Sequence, residues 1–161
     1  MSLEMYAFSL DRSPAFHTPS SVLRYKVPKD GRPVGGAAGQ AFLDSNVILP
    51  GSTLIQAWTD HPSLHEWMER EWNRARGFFK ARTMGQEDRV VLKYPELFHL
   101  GRDLHGERLR RTPDYYFGGP SVSEALRERD AAHATQDREF VEKAQAAVAT
   151  GKHVYYVARW F

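Results

Sequence analysis

The final segment of the chain sets the strongest limit on its fold. From His153 to Phe161 the residues alternate so that Val154, Tyr156, Ala158 and Trp160 share one face, and the opposite face, with Tyr155, Val157 and Phe161, is apolar too. A strand lying on a surface keeps one polar face for water, whereas a strand apolar on both faces needs cover on both. This segment is therefore expected to be covered on both sides. Residues 4–10 (Glu-Met-Tyr-Ala-Phe-Ser-Leu) read as a second strand with Tyr6, Phe8 and Leu10 on one face, and pairing between the two segments is expected.

The second half of the chain reads as mostly helical. Leu64, Trp67, Met68, Trp72, Ala75, Phe78 and Phe79 recur at helical spacing and predict a helix from Asp60 or Ser63 through about residue 82, with Ser63 and Glu66 as a capping box and Pro62 in the first turn. Arg-Val-Val-Leu-Lys-Tyr at 89–94 reads as a strand. Pro95 then opens a short helix with Leu97, Leu100 and Leu104 facing inward and Gly101 and Gly106 weakening it. A third helix starts at Ser121, again with a capping-box glutamate, Glu124, and Gly151 caps its far end. Residues 127–139 are nearly all polar or alanine, which fits either a solvated stretch of one long helix or a break between two.

Between the first strand and the first helix the character changes. Residues 11–60 hold Pro14, Pro19, Pro28, Pro33 and Pro50 together with Gly31, Gly35, Gly36, Gly39 and Gly51. Proline removes a backbone donor and glycine resists ordering, so turns and extended chain are expected there. Two short strands, 22–27 and 46–49, are expected to interrupt it. The resulting fold class is α+β in a single domain spanning 1–161, with four or five short strands, three helices and an extended Pro/Gly-rich N-terminal segment.

Composition removes several function classes. No cysteine is present, which excludes disulfides and thiolate-bound metals or clusters and points to an intracellular, reducing compartment. The net charge of +2 is too balanced to require nucleic acid or anionic lipid as partner. No apolar run approaches the roughly 18 residues needed to cross a bilayer, and the first residues lack the pattern of a signal peptide.

No catalytic constellation stands out, and no cofactor is implied. The Gly-rich patch from Arg32 to Gln40 lacks the sustained helix after it that a phosphate loop needs, and the Walker Gly-Lys-Ser/Thr ending is absent. His61 and His65 lie four apart beside Glu66, a conceivable metal pair with His99 or His105 as a distant third ligand, but His61 precedes the expected first turn. His99 and His105 are six apart and fall on different sides of their helix. Glu87 and Asp88 before Lys93 do not match the spacing of metal-dependent nuclease strands. No Gly-x-Ser-x-Gly elbow occurs.

The best candidate contact surface is Arg108, Arg110 and Arg111 followed by Tyr115, Tyr116 and Phe117. Arginine and tyrosine concentrate at the energetic centres of protein interfaces, and the same mixture suits single-stranded RNA. Trp67, on the flank of the first helix, is a further interface candidate if exposed. The expected role is that of an accessory subunit making protein–protein contacts in a larger assembly, its Pro/Gly-rich arm ordered by other subunits. Two alternatives are a small enzyme acting on a nucleotide or RNA, with His61, His99 or His105 as acid–base group, and a stand-alone binding or inhibitor module.

Overall fold

A computed structural model describes residues 2–11, 48–49, 51–77, 83–85, 88–106, 109 and 120–160. In chain order the elements are β1 (Leu3–Leu10), β2 (Thr53–Thr59), α1 (Pro62–Arg76), β3 (Val90–Leu92), α2 (Tyr94–His105), α3 (Pro120–Ala149) and β4 (His153–Trp160). The four strands form one antiparallel sheet in the order β2-β1-β4-β3. The fold class is therefore α+β, with three helices and four strands among the described residues.

β4, the strand whose sequence asks for cover on both sides, forms the central pair with β1. β1 and β4 match along their whole length, from Leu3 opposite Trp160 to Leu10 opposite His153. Leu3, Met5 and Ala7 face one side with Val154, Tyr156 and Ala158. All three helices seat there, through Leu64, Trp67, Met68 and Trp72 of α1, Leu97 and Leu100 of α2, and Phe140, Val141 and Ala144 of α3. Tyr6, Phe8 and Leu10 face the other side with Tyr155 and Val157, joined by Leu54 of β2 and by Ile48 and Leu49.

β2 is a strand that sequence reading did not anticipate, and its irregularity explains why. Ala7 pairs with Gln56 but Phe8 pairs with Leu54, so Ile55 is an extra residue, a bulge. The bulge puts Leu54 in the Phe8 cluster and Trp58 in the helical core, on opposite faces although they are four apart. The strand expected at 46–49 is not formed in its described part: Ile48 is a bend and Leu49 is irregular. Residues 22–27 lie outside the described residues.

Helix boundaries also shift. α1 begins two residues earlier than the Ser63 box predicts: His61 is the N-cap, without a side-chain capping bond, and Pro62 is the first helical residue. Ser63 sits inside the first turn and cannot cap. The helix ends at Arg76, where Gly77 adopts the left-handed conformation (φ 65°) and its N–H closes onto the carbonyls of Asn73 and Arg74. α3 is a single helix without a break at 127–139. Its exposed first part gives way to a buried face from Asp137 onward. α2 and α3 approach closely at Gly101, where an added Cβ would lie 3.5 Å from Val141. Leu97 and Leu100 are buried and Leu104 is half-buried, as the spacing predicts.

Candidate functional site

The expected contact residues Arg108, Arg110, Arg111, Tyr115, Tyr116 and Phe117 lie outside the described residues, as do the Gly-rich patch 32–40 and Glu87. The neighbouring Leu109 is buried, and its carbonyl accepts from Arg70 Nη2 at 2.6 Å, which ties that point of the chain to α1. Asp88 accepts from the Gly85 N–H at 2.6 Å and closes its own turn, while Lys93 is exposed at the head of α2.

The polar centre of the fold is His61. Its side chain is fully buried where β2 turns into α1. Asp60 makes that corner with φ 52°, held by the Leu3 backbone: Leu3 N–H donates to Asp60 Oδ1 and Asp60 N–H to the Leu3 carbonyl, both at 2.8 Å. Aspartate is among the residues that enter the left-handed region most readily, and here the long-range bonds to Leu3 hold it there. The corner delivers His61 to α3, where Asp130, His133 and Asp137 fall on one side of the helix (i, i+3, i+7). Asp137 is buried; its Oδ1 accepts from Trp58 Nε1 at 2.9 Å and its Oδ2 lies 2.8 Å from His61 Nε2. Because indole N–H only donates and a carboxylate only accepts, the His61 Nε2–H points at Asp137. His61 Nδ1 faces Asp130 Oδ1 at 3.6 Å. The His133 ring stacks on His61 with centroids 4.4 Å apart, and its Nδ1 bonds Gln136 Oε1 at 2.9 Å.

A carboxylate-held imidazole is the arrangement that orients a general base in many hydrolases. Here, however, a carboxylate faces each ring nitrogen, one ring face is covered by His133, and no part of the side chain reaches solvent. The geometry fits a polar staple that ties the β2–α1 corner to the middle of α3. Among the described residues no group of three or more histidine or acidic side chains is placed to hold a metal ion.

His65, the other half of the conceivable metal pair, points elsewhere. Its Nδ1 lies 2.8 Å from the Tyr156 hydroxyl. Burial holds the Tyr156 phenol well above 10 and pushes the His65 imidazole down to about 4. The neutral ring thus offers the phenol proton an acceptor in the core, and the Trp160 ring meets it edge-on at 6.3 Å. On the next turn of α1, burial raises the Glu69 carboxyl, partly offset by the Met84 N–H donating to it at 2.7 Å. His99 is half-buried and His105 exposed on α2. The four histidines are therefore not brought together.

Trp67 is not an exposed flank. It is 2% exposed, and its Nε1 donates to Asp103 on α2 at 3.0 Å. The apolar surface lies instead on the outside of α2, where Tyr94 is 59% and Phe98 55% exposed. They are four residues apart, and Arg102, also exposed, continues the same row one turn further. Lys93 and His105 flank this row at its two ends. The acidic residues nearest it are engaged: Glu96 accepts from the Lys93 N–H at 3.0 Å, and Asp103 accepts from Trp67. Among the described residues no helix is long and apolar enough to cross a membrane. Comparison with family models, curated proteins and solved structures finds no match.

Proposed function

We propose that this chain acts by binding another protein, as an accessory subunit of a larger assembly, and that the outer row of α2 is a contact surface. The observation that carries the reading is the exposed sequence Tyr94, Phe98, Arg102 along one helix face. Two large aromatic side chains left more than half in water gain nothing for the fold. Followed by an arginine, they have the composition of interface anchors. A helix row at this spacing fits a groove on the partner, as in helix-in-groove recognition. Lys93 at one end of the row and Arg102 at the other, both exposed, favour a groove with an acidic rim. The enzymatic alternative has less support, because the His61 side chain is fully buried and its Nε2 is engaged by Asp137.

The test is site-specific photo-crosslinking in the source cell, with the photoreactive residue at Phe98 and, as control, at the exposed Glu142 of α3. A partner crosslinked from 98 but not from 142 is then purified and its affinity measured. Phe98→Ala is expected to raise Kd about 30-fold, a hot-spot loss of about 2 kcal/mol. An unchanged Kd in the Tyr94→Ala/Phe98→Ala double variant refutes this surface.

A further inference from the structure

Tyr156 and Trp160 share a face of β4, about 13 Å apart along the strand, and the His65 ring of α1 lies between them. Its centroid is 6.1 Å from that of Tyr156 and 6.3 Å from that of Trp160, which meets it edge-on at 86°. The row runs from surface to core: Trp160 is 45% exposed, His65 7% and Tyr156 fully buried. The hydrogen bond inside it has a fixed direction. The Tyr156 hydroxyl lies 2.8 Å from His65 Nδ1. A buried phenol must place its one proton on an acceptor, and Nδ1 is the acceptor that this contact supplies. His65 Nε2 therefore carries the ring's own hydrogen.

We infer that Tyr156 is a one-electron redox site: a diffusing oxidant of the peroxyl-radical class takes an electron from Trp160, and Tyr156 refills that hole while its phenolic proton moves to His65 Nδ1. Oxidising a phenol turns its O–H into a very strong acid. An electron therefore leaves a buried tyrosine readily only where a base stands within hydrogen-bond reach of that proton, and His65 is that base. In the first step Trp160 gives up an electron to the oxidant and its indole proton to water. In the second, the Tyr156 O–H bond breaks, an N–H bond forms at His65 Nδ1, and the electron passes to the indolyl radical, which takes a proton from water and is tryptophan again. The oxidant ends one electron reduced, and Tyr156 ends as a neutral phenoxyl beside a protonated His65. Burial disfavours that imidazolium, which drives the proton back once the phenoxyl is reduced. Glu69, one turn along α1, offsets part of the cost, because its charge already acts on the Tyr156 phenol. The other two fully buried tyrosines among the described residues lack this arrangement. The Tyr155 hydroxyl accepts from the Leu49 N–H at 2.9 Å and bonds Ser52 Oγ at 2.6 Å, and neither is a base. The Tyr6 hydroxyl donates to Glu4 over a long 3.4 Å, on the opposite face of the sheet. The inference is independent of the α2 contact.

Pulse radiolysis of the full chain with the azidyl radical as oxidant tests it, with the indolyl and phenoxyl absorptions followed in time. The expected result is a phenoxyl signal that grows as the indolyl signal decays, at a rate independent of protein concentration and slower in D2O than in H2O. Tyr156→Phe and Trp160→Phe should each abolish this phase, and Tyr6→Phe should leave it unchanged. His65→Gln keeps a polar side chain but no base, and should slow the phase on the order of 100-fold. Phenylalanine retains the ring that fills the core at 156, and the D2O comparison needs no variant at all. A phase that survives in Tyr156→Phe places the hole on another tyrosine, such as the exposed Tyr94, and overturns the inference. Equal rates in H2O and D2O, or no such phase in the unaltered chain, overturn it as well.

Discussion

Replacing Asp137 by alanine is the most direct way to test the role assigned to His61. The substitution removes the acceptor of two buried donors, Trp58 Nε1 and His61 Nε2, bonded at 2.9 and 2.8 Å. A buried donor left without an acceptor costs about 1–3 kcal/mol, so the two together cost about 2–6 kcal/mol. Breaking a buried hydrogen-bond network is also one of the few single changes that reach the upper end of measured losses, about 4 kcal/mol. The expected loss is therefore about 4 kcal/mol, or about 10 °C in Tm for a chain of this size. Equilibrium urea unfolding followed by tryptophan fluorescence measures it, with an unchanged m-value as the sign that the native state is intact. Asp130→Asn is the internal control: its carboxylate is 3.6 Å from the ring and 24% exposed, so a change of at most about 1 kcal/mol is expected. His61→Ala and Asp137→Ala should be strongly non-additive, because either removes the same contact. A loss below about 1 kcal/mol for Asp137→Ala, or an effect equal to that of Asp130→Asn, refutes the staple.

Further outcomes follow from other features. His65 binds a proton more readily unfolded, at its ordinary 6.5, than folded, at about 4. Its contribution to stability is therefore intact above 6.5 and is lost as pH falls through that window, by about 3 kcal/mol at most; His65→Phe should flatten the pH 4–6.5 slope of unfolding free energy, and an unchanged slope refutes it. Glu69 acts in the opposite sense, since its raised carboxyl pKa favours folding as pH falls, so Glu69→Gln should steepen the acid loss in the same titration. Gly101→Ala should stabilise by up to about 1 kcal/mol in thermal unfolding, because alanine is the better helix former and its Cβ meets Val141 at an ordinary 3.5 Å; destabilisation would mean that α2 and α3 cannot accept the methyl. Phe98→Ala should leave stability within about 0.5 kcal/mol, since its ring lies in water.

The parts of the fold legible in the sequence are those where periodicity and burial agree. β1 and β4 alternate cleanly and are apolar on both faces, and they are the central pair. Leu97, Leu100 and Leu104 sit where their spacing puts them. β2 was hidden because its bulge breaks the alternation at Ile55 and because Pro50 and Gly51 precede it. The Ser63–Glu66 pattern misled because His61, drawn inward by Asp137, already occupies the capping position. Helical spacing puts Trp67 on a flank; its polar edge is satisfied by Asp103 on a different helix, a contact no local pattern records. A signal for the buried histidine was present. Asp130, His133 and Asp137 keep core spacing in a helix whose apolar stripe is otherwise missing there, which is how a polar cluster facing inward reads. Its partner His61 is 76 residues from Asp137, and nothing in the sequence joins them. The exposed Tyr94 and Phe98 were equally visible as residues, but their exposure depends on which side of α2 meets α3.

The pairing of β1 with β4 also has a consequence for synthesis on the ribosome. Leu3 finds its neighbour only when Trp160 has left the exit tunnel; at about 5–20 residues per second that is a delay of about 10–30 s. Throughout this interval a hairpin-like β1–β2 ribbon is the most sheet the nascent polypeptide can make, with Met5, Tyr6 and Phe8 still seeking their final surroundings. Slowing translation should therefore lower its yield more than it lowers that of a protein whose contacts are local.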